Sequence, residues 1–318
     1  MSGRCQQVKV GNSLSTKQLI TCGVPQGSVL GPILFHLYIN DIQFSSDKLK
    51  FFLFADDTST FLSGKDLNVI EKTYNEELLK VAKWLIANKL SLNVAKSNVI
   101  VFRPSKLKLT SKINIKINGE LIVEKEYVKY LGLLIDNKLQ WKQQIAHVKS
   151  KLQRGIGLLN RLKIYATKEV LSAAFHSFIT PFVDYGLINW GTASSFSLNP
   201  IRKCVVKAIN KVLAKSLSNK TFLTFDDICT VNIGKFMWKL HHDELPACIQ
   251  KMFIYNKDKR TTRIQSKFML EIPVTNYKRR FVNFNGLKIW HQIPDHIKSC
   301  NSIHSFKSKY KHALLEKY

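Results

Sequence analysis

The stretch from Leu49 to Leu62, LKFFLFADDTSTFL, limits what this chain can become more than any other. Two apolar, aromatic-rich runs of strand type flank an abrupt pair of carboxylates, Asp56 and Asp57. Runs of this kind so close together pair as a hairpin, which puts the acids at or beside its turn. Carboxylates on a rigid tip are hard oxygen ligands for Mg²⁺, an ion that takes one or two protein carboxylates and fills its octahedron with water and substrate phosphates. Asp is also common at turns for its own hydrogen-bonding reasons, so the dipeptide alone reads more simply as a solvated turn.

The chain has 318 residues, 45% of them hydrophobic, enough for a substantial core and two or three structural units. Its 49 Lys and Arg against 22 Asp and Glu give a net charge of +27, a balance that attracts polyanions through counterion release. The excess is uneven: residues 1–136 carry 18 basic and 12 acidic side chains, 137–192 carry 8 and 2, and 193–318 carry 23 and 8. Solubility alone needs far less charge, so nucleic acid is the first partner to consider. Cys5, Cys22, Cys204, Cys229, Cys248 and Cys300 include no CxxC pair, which speaks for reduced thiols and against a zinc module. The N-terminus has no apolar signal region and no run is long enough to span a bilayer. An intracellular protein of nucleus or cytoplasm, not secreted and without membrane contact, is the expectation.

Ahead of the carboxylates stand Gly23-Val24-Pro25-Gln26-Gly27-Ser28-Val29-Leu30-Gly31-Pro32, then the apolar run ILFHLYI and Asn40-Asp41. The glycines permit positive φ and a close backbone approach, and Pro25 fixes its own φ. GVPQGSVLGP, a helix ending in YIND and a strand running into FADD together resemble motifs B and C of a reverse transcriptase palm, in the wording of the non-LTR, jockey-like retrotransposon polymerases. Either motif alone is modest evidence; both in this order are strong.

That resemblance implies an RNA-directed DNA polymerase using Mg²⁺, with Mn²⁺ as an alternative, on an RNA template, a DNA primer and deoxynucleoside triphosphates. It gives Asp56 the firmer metal-ligand and catalytic role, with Asp57 in support. Gln26 and Gly27 stand beside the incoming nucleotide, and Phe54 and Ala55 face the primer end and nascent base pair. Phe54 replaces the tyrosine of many relatives, a modest change because packing needs the ring. Lys96, in NKLSLNVAKSNVIVF, matches the motif D lysine near the triphosphate, where an ammonium stabilises departing pyrophosphate; a solvated turn lysine fits the same residues. Lys129-Tyr130-Leu131-Gly132-Leu133-Leu134-Ile135-Asp136 resembles the primer grip, in which Tyr130, Leu131 and Gly132 meet the template-primer. Motif A, which supplies another aspartate to the two-metal cage, has no counterpart: Asp41 and Asp47 both follow PQG. The expectation is an N-terminally truncated copy, inactive alone, or else a non-catalytic nucleic-acid-binding remnant.

Between these motifs, apolar spacing predicts a helix from Asp66 through Leu67, Ile70, Tyr74, Leu78, Val81 and Leu85. Asn118-Gly119 predicts a hairpin turn between INIKING and LIVEKEYV. Trp141, Ile145, Val148, Leu152, Leu159 and Leu162 trace a helical stripe, and a second helix starts at Lys168. This pair looks like the family's thumb, and is equally an ordinary amphipathic pair. SSFSLNP reads as a linker. Beyond it, aromatics such as Phe222, Trp238, Phe253, Trp290, Phe306 and Tyr310 among lysines suit single-stranded nucleic acid, or a core. The fold expected is α+β: a partial reverse transcriptase palm over 1–136, an antiparallel sheet with helices; a helical thumb over 137–192; and a mainly α, basic C-terminal region over 193–318.

Overall fold

The computed structural model describes residues 3–21, 23–25, 27–104, 112–213, 222–255, 267–270, 272–275 and 277–316. Two compact units divide the chain, one of residues 1–101 and 106–125, the other of 102–105 and 126–318. Helices and short strands are mixed, as an α+β fold requires.

In the first unit, β1 (Arg4–Gln6) pairs with β4 (Gln18–Ile20), and β2 (Lys9–Val10) with β3 (Ser13–Leu14), in one irregular hairpin around Gly11 and Asn12. After α1 (Leu30–Ile39) come β5 (Lys50–Phe54) and β6 (Asp57–Phe61), then α2 (Leu67–Ala87). Asp66 caps α2, its side chain accepting from Asn68 N at 2.8 Å, and the helix begins where the apolar spacing puts it. Four two-residue strands follow: β7 (Asn98–Val99), β8 (Lys116–Ile117), β9 (Glu120–Leu121) and β10 (Val123–Glu124). Asn118 and Gly119, with φ of 51° and 85°, make the expected tight turn between β8 and β9.

A continuous antiparallel sheet is not what forms. The described strands pair two by two, and β7 with β10 is a parallel pair. Side chains occupy edges that a further strand would need. Glu71 accepts from Asn114 N at 2.9 Å and Asn75 from Lys116 N at 2.8 Å, so α2 satisfies the backbone around β8. Ile39, Ile42, Leu78, Val81, Ile115 and Ile117 close the core, while Leu30, Ile33 and Leu37 of α1 remain exposed.

The second unit opens with a hairpin of β11 (Tyr127–Tyr130) and β12 (Leu133–Asp136), which packs on α3 (Lys142–Leu162). Then come α4 (Lys168–Phe178), α5 (Thr180–Asp184), α6 (Leu187–Trp190), α7 (Ser195–Leu213), α8 (Phe225–His241), α9 (Ala247–Gln250), α10 (Val282–Gln292), α11 (Asp295–Lys298) and α12 (Ile303–Leu315). The compact units divide at 125/126, ahead of the boundary expected after Asp136, because the hairpin packs with the helices that follow it. No division falls near residue 192: one core runs from Leu133 to Phe225 and includes Leu152, Leu159, Trp190, Ile201 and Val205.

SSFSLNP is therefore no linker but the first turns of α7, with Pro200 inside the helix. Proline withdraws one helical N–H. Arg202 stitches the turn instead, donating to Ser195 O at 2.7 Å and Asn199 Oδ1 at 2.8 Å, while Leu198 and Ile201 are buried. α3 and α4 meet at Gly155, where a Cβ would lie 2.8 Å from Phe178 O.

A second core holds Trp238, Phe253, Trp290, Phe306 and Tyr310, and Phe222 is buried in the first. The aromatics that suited single-stranded nucleic acid in the sequence are thus packing residues. Among the described residues no helix is long and apolar enough to cross a membrane.

Candidate active site

The two carboxylates lie where strand pairing dictates. Leu53 pairs with Thr58 and Phe54 with Asp57, which leaves Ala55 and Asp56 as a two-residue turn. Such turns match strand twist when the first central residue has positive φ, a place usually taken by glycine. Ala55 has φ 50°, a left-handed conformation that costs an L-residue about 1–2 kcal/mol. Backbone strain of this kind is held only where surrounding pairing enforces it, and it clusters at functional sites. Phe54, Ala55, Asp56 and Asp57 are all exposed. The carboxylates thus stand free in solvent at the tip of a five-residue ladder, while Phe51 and Leu53 on the other side of β5 pack on the core.

The turn that precedes α1 lies in the same unit. Ser28 N donates to Pro25 O at 3.3 Å, with Gly27 at φ 81°, the position of a β-turn that needs left-handed backbone. Ser28 Oγ then accepts from Gly31 N at 3.1 Å and starts the helix. Gln26 lies outside the described residues. Lys96 ends a 3₁₀ turn, its backbone N–H held by Asn93 Oδ1 at 3.1 Å and its residue exposed. Among the described residues no hydrogen bond or ion pair joins it to Asp56 or Asp57.

Tyr130, Leu131 and Gly132 belong to the second unit, at the β11–β12 turn. Leu131 and Gly132 both have positive φ, 44° and 81°. Tyr185 Oη donates to Leu131 O at 2.5 Å, and a Cβ on Gly132 would lie 3.1 Å from the same ring. Gly132 therefore gives its space to Tyr185 as well as leaving the backbone bare.

Two acids to which the sequence reading gives no role each organise one unit. Glu77 of α2 is buried, accepting from Ser46 Oγ at 2.5 Å and Lys80 Nζ at 2.8 Å. Lys80 first, then Ser46, hold its carboxyl below the usual glutamate range against the opposing effect of burial. Its sequence signal is a Glu beside Leu78 and Val81, three residues before a Lys. Asp136 is also buried and accepts from the backbone N–H groups of Lys138 at 3.1 Å, Gln140 at 2.9 Å and Trp141 at 2.5 Å. It holds Leu139 and Trp141, at φ 49° and 63°, in left-handed backbone at the entry to α3.

Whether the tip fits a metal ion is a question of donor chemistry. Asp56 and Asp57 offer hard oxygens on a fixed tip, a set that fits one Mg²⁺ completing its shell with water and phosphate. Among the described residues no group of three or more His, Cys, Asp or Glu side chains gathers to hold an ion. Adjacent strand-tip carboxylates on an otherwise basic chain suit one class of ligand, a divalent cation carried by phosphates.

Comparison with known proteins narrows the class. Residues 4–135 match the family described as Reverse transcriptase (RNA-dependent DNA polymerase). The chain is 24% identical over 278 residues to the RNA-directed DNA polymerase from mobile element jockey of Drosophila melanogaster, covering 81% of this chain and 30% of that protein. It is 28% identical over 218 residues to the probable RNA-directed DNA polymerase from transposon BS of the same species, covering 64% and 24%. The jockey polymerase of Drosophila funebris is 25% identical over 66% of this chain and 24% of its own length. The chain thus spans less than a third of these relatives. No solved structure matches it.

Proposed function

We propose that this chain carries polymerase machinery of a non-LTR retrotransposon, with Asp56 and Asp57 as the carboxylates that hold Mg²⁺, or Mn²⁺, for RNA-directed DNA synthesis. The observation that carries the reading is the β5–β6 hairpin: two adjacent acids exposed at a strained tip, within the segment that matches the reverse transcriptase family. The metal, when bound, supplies positive charge to the phosphates of an incoming deoxynucleoside triphosphate. Asp56 and Asp57 fix it to the hairpin. Phe54 offers its ring to the primer end, Ala55 keeps the turn small, and Gly27 leaves the backbone bare for a nucleotide. Gln26, beside it in PQG, and Lys96, through its ammonium, belong to the same nucleotide-handling set. Tyr130, Leu131 and Gly132 form the primer-facing turn, braced by Tyr185.

Two-metal transfer needs carboxylates for a pair of ions roughly 3.5–4 Å apart. Asp56 and Asp57 are the two carboxylates assigned here, and our reading is a chain that binds metal and template-primer without extending the primer by itself. The test pairs electron paramagnetic resonance of added Mn²⁺ with primer extension on poly(rA)/oligo(dT). We expect weak Mn²⁺ binding that the Asp56→Asn, Asp57→Asn double substitution abolishes, and no incorporation by either chain. Unchanged Mn²⁺ binding in the double variant would sink the metal assignment; incorporation by the native chain would show that another group completes the cage. A non-catalytic nucleic-acid-binding role is favoured by one observation of its own: α3 and α7 carry five and four Lys or Arg and no Asp or Glu.

A further inference from the structure

α3 and α7 lie against each other, and between them runs an open groove of about 1050 Å³. Its rims are cationic. Lys203, Lys207 and Lys211 follow one another at four-residue intervals along α7, hence on one face and about 6 Å apart along the axis. Lys142 and Lys149 line the groove from α3. Among the described residues none of these five lysines takes part in an ion pair. Arg202, the neighbour on α7, differs: Asp226 holds it through Nε at 2.9 Å and Nη2 at 2.8 Å, away from this duty. Cys204, its thiol raised by burial, lines the same groove as Lys149 of α3 and Lys207 of α7.

The floor is apolar. Ile145, Ile156 and Gly157 line it, and Phe196, at the start of α7, lines it too while remaining 85% exposed. Other side chains of this unit are as bare, Tyr165 at 88% among them, but Phe196 is the exposed ring that lines the groove beside its lysines. Duplex nucleic acid shows a protein phosphates and sugars, and its stacked bases offer no face to a ring. A single strand offers both phosphates for lysines and unstacked bases for an aromatic platform. An acidic peptide would meet the lysines but gives Phe196 and the apolar floor no systematic partner.

We propose that the α3–α7 groove is a binding track for single-stranded nucleic acid, with Lys203, Lys207 and Lys211 on the phosphates and Phe196 stacking on a base. This rests on the nucleic-acid-binding reading of α3 and α7 and not on Asp56 and Asp57, so it is tested in EDTA, where no metal chemistry contributes and the polymerase reading is not at stake. The probe is a fluorescein-labelled twelve-nucleotide oligo(rU), with anisotropy read on the full chain over a range of salt. Three variants are compared: Lys203→Gln/Lys207→Gln/Lys211→Gln; Phe196→Ala; and, as a control that removes equal charge from α12, Lys307→Gln/Lys309→Gln/Lys311→Gln. All positions carry exposed or half-buried side chains, and circular dichroism melting checks each fold.

Three phosphate contacts to a single strand are worth about 2 in the slope of log affinity against log salt, or a roughly hundredfold loss near 0.1 M. The α7 triple variant should show both, and the α12 control neither. Phe196→Ala should weaken oligo(rU) at least about fivefold and leave a blunt duplex of the same length unaffected. Equal losses in the two triple variants would reduce the effect to net charge and overturn the site. An unaffected single strand in Phe196→Ala would overturn the strand-specific reading. Retained oligonucleotide binding by the α7 variant, with loss of binding to vesicles containing phosphatidylserine, would reassign the groove to an anionic membrane surface and refute the proposal.

Discussion

At the scale of single residues, the decisive groups are those whose environment contradicts their type. Ala55 accepts left-handed backbone so that the acids after it project from a two-residue turn. Glu77 is a carboxylate inside a core, tolerable only because Lys80 and Ser46 both donate to it. Its folded form holds the proton less tightly than the ordinary glutamate value of 4.5, so it stabilises the first unit fully above that value. That stability is lost as pH falls from there through the lowered folded value. We expect Glu77→Gln to be less stable than the native chain near neutrality and to lose less on acidification below about pH 4.5. Urea denaturation at a series of pH values, followed by the resolved fluorine resonance of Trp84 in a chain labelled with 5-fluorotryptophan, reads this; parallel curves for the two chains would show that Glu77 does not couple folding to protons.

Elements are shaped by what closes their ends. The β11–β12 hairpin hands the chain to α3 through Leu139 and Trp141, both left-handed, and Asp136 makes that junction affordable by accepting three backbone N–H groups. Removing a buried charged acceptor strands those donors, a cost of about 3 kcal/mol. Asp136→Ala should lower the denaturation midpoint of the second unit accordingly, and Asp136→Asn, which keeps one oxygen, should fall between. A loss below about 0.5 kcal/mol, typical of an inconsequential surface change, would mean that Trp141 alone holds the turn. α7 illustrates the same point from the other side. Ser195, Asn199 and Pro200 look like connecting chain, yet Arg202 and the burial of Leu198 and Ile201 draw them into a helix.

For the whole molecule, charge is the governing property. A net +27 predicts that affinity for a template-primer duplex falls steeply with salt, by roughly a hundredfold or more between about 50 and 200 mM if four or more phosphates are neutralised. Filter binding over that range checks it, and affinity that is flat in salt would remove nucleic acid as the reason for the charge. Much of the molecule was legible in order of residues: the carboxylate hairpin, the Asn118-Gly119 turn, α2 from Asp66 onward and the stripe of α3 all follow from local periodicity and turn chemistry. Those signals act over a few residues, within one helical turn or one strand pair, and the backbone obeys them wherever the segment is placed. What only the tertiary structure decided is which side chains lose water. Glu77 is buried because Ser46 and Lys80 meet it, Trp290 and Phe306 become core rather than base-stacking platforms, and Phe196 stays bare beside a groove whose lysines come from helices some fifty residues apart. Burial depends on partners that are distant in the chain, and no local pattern carries that information.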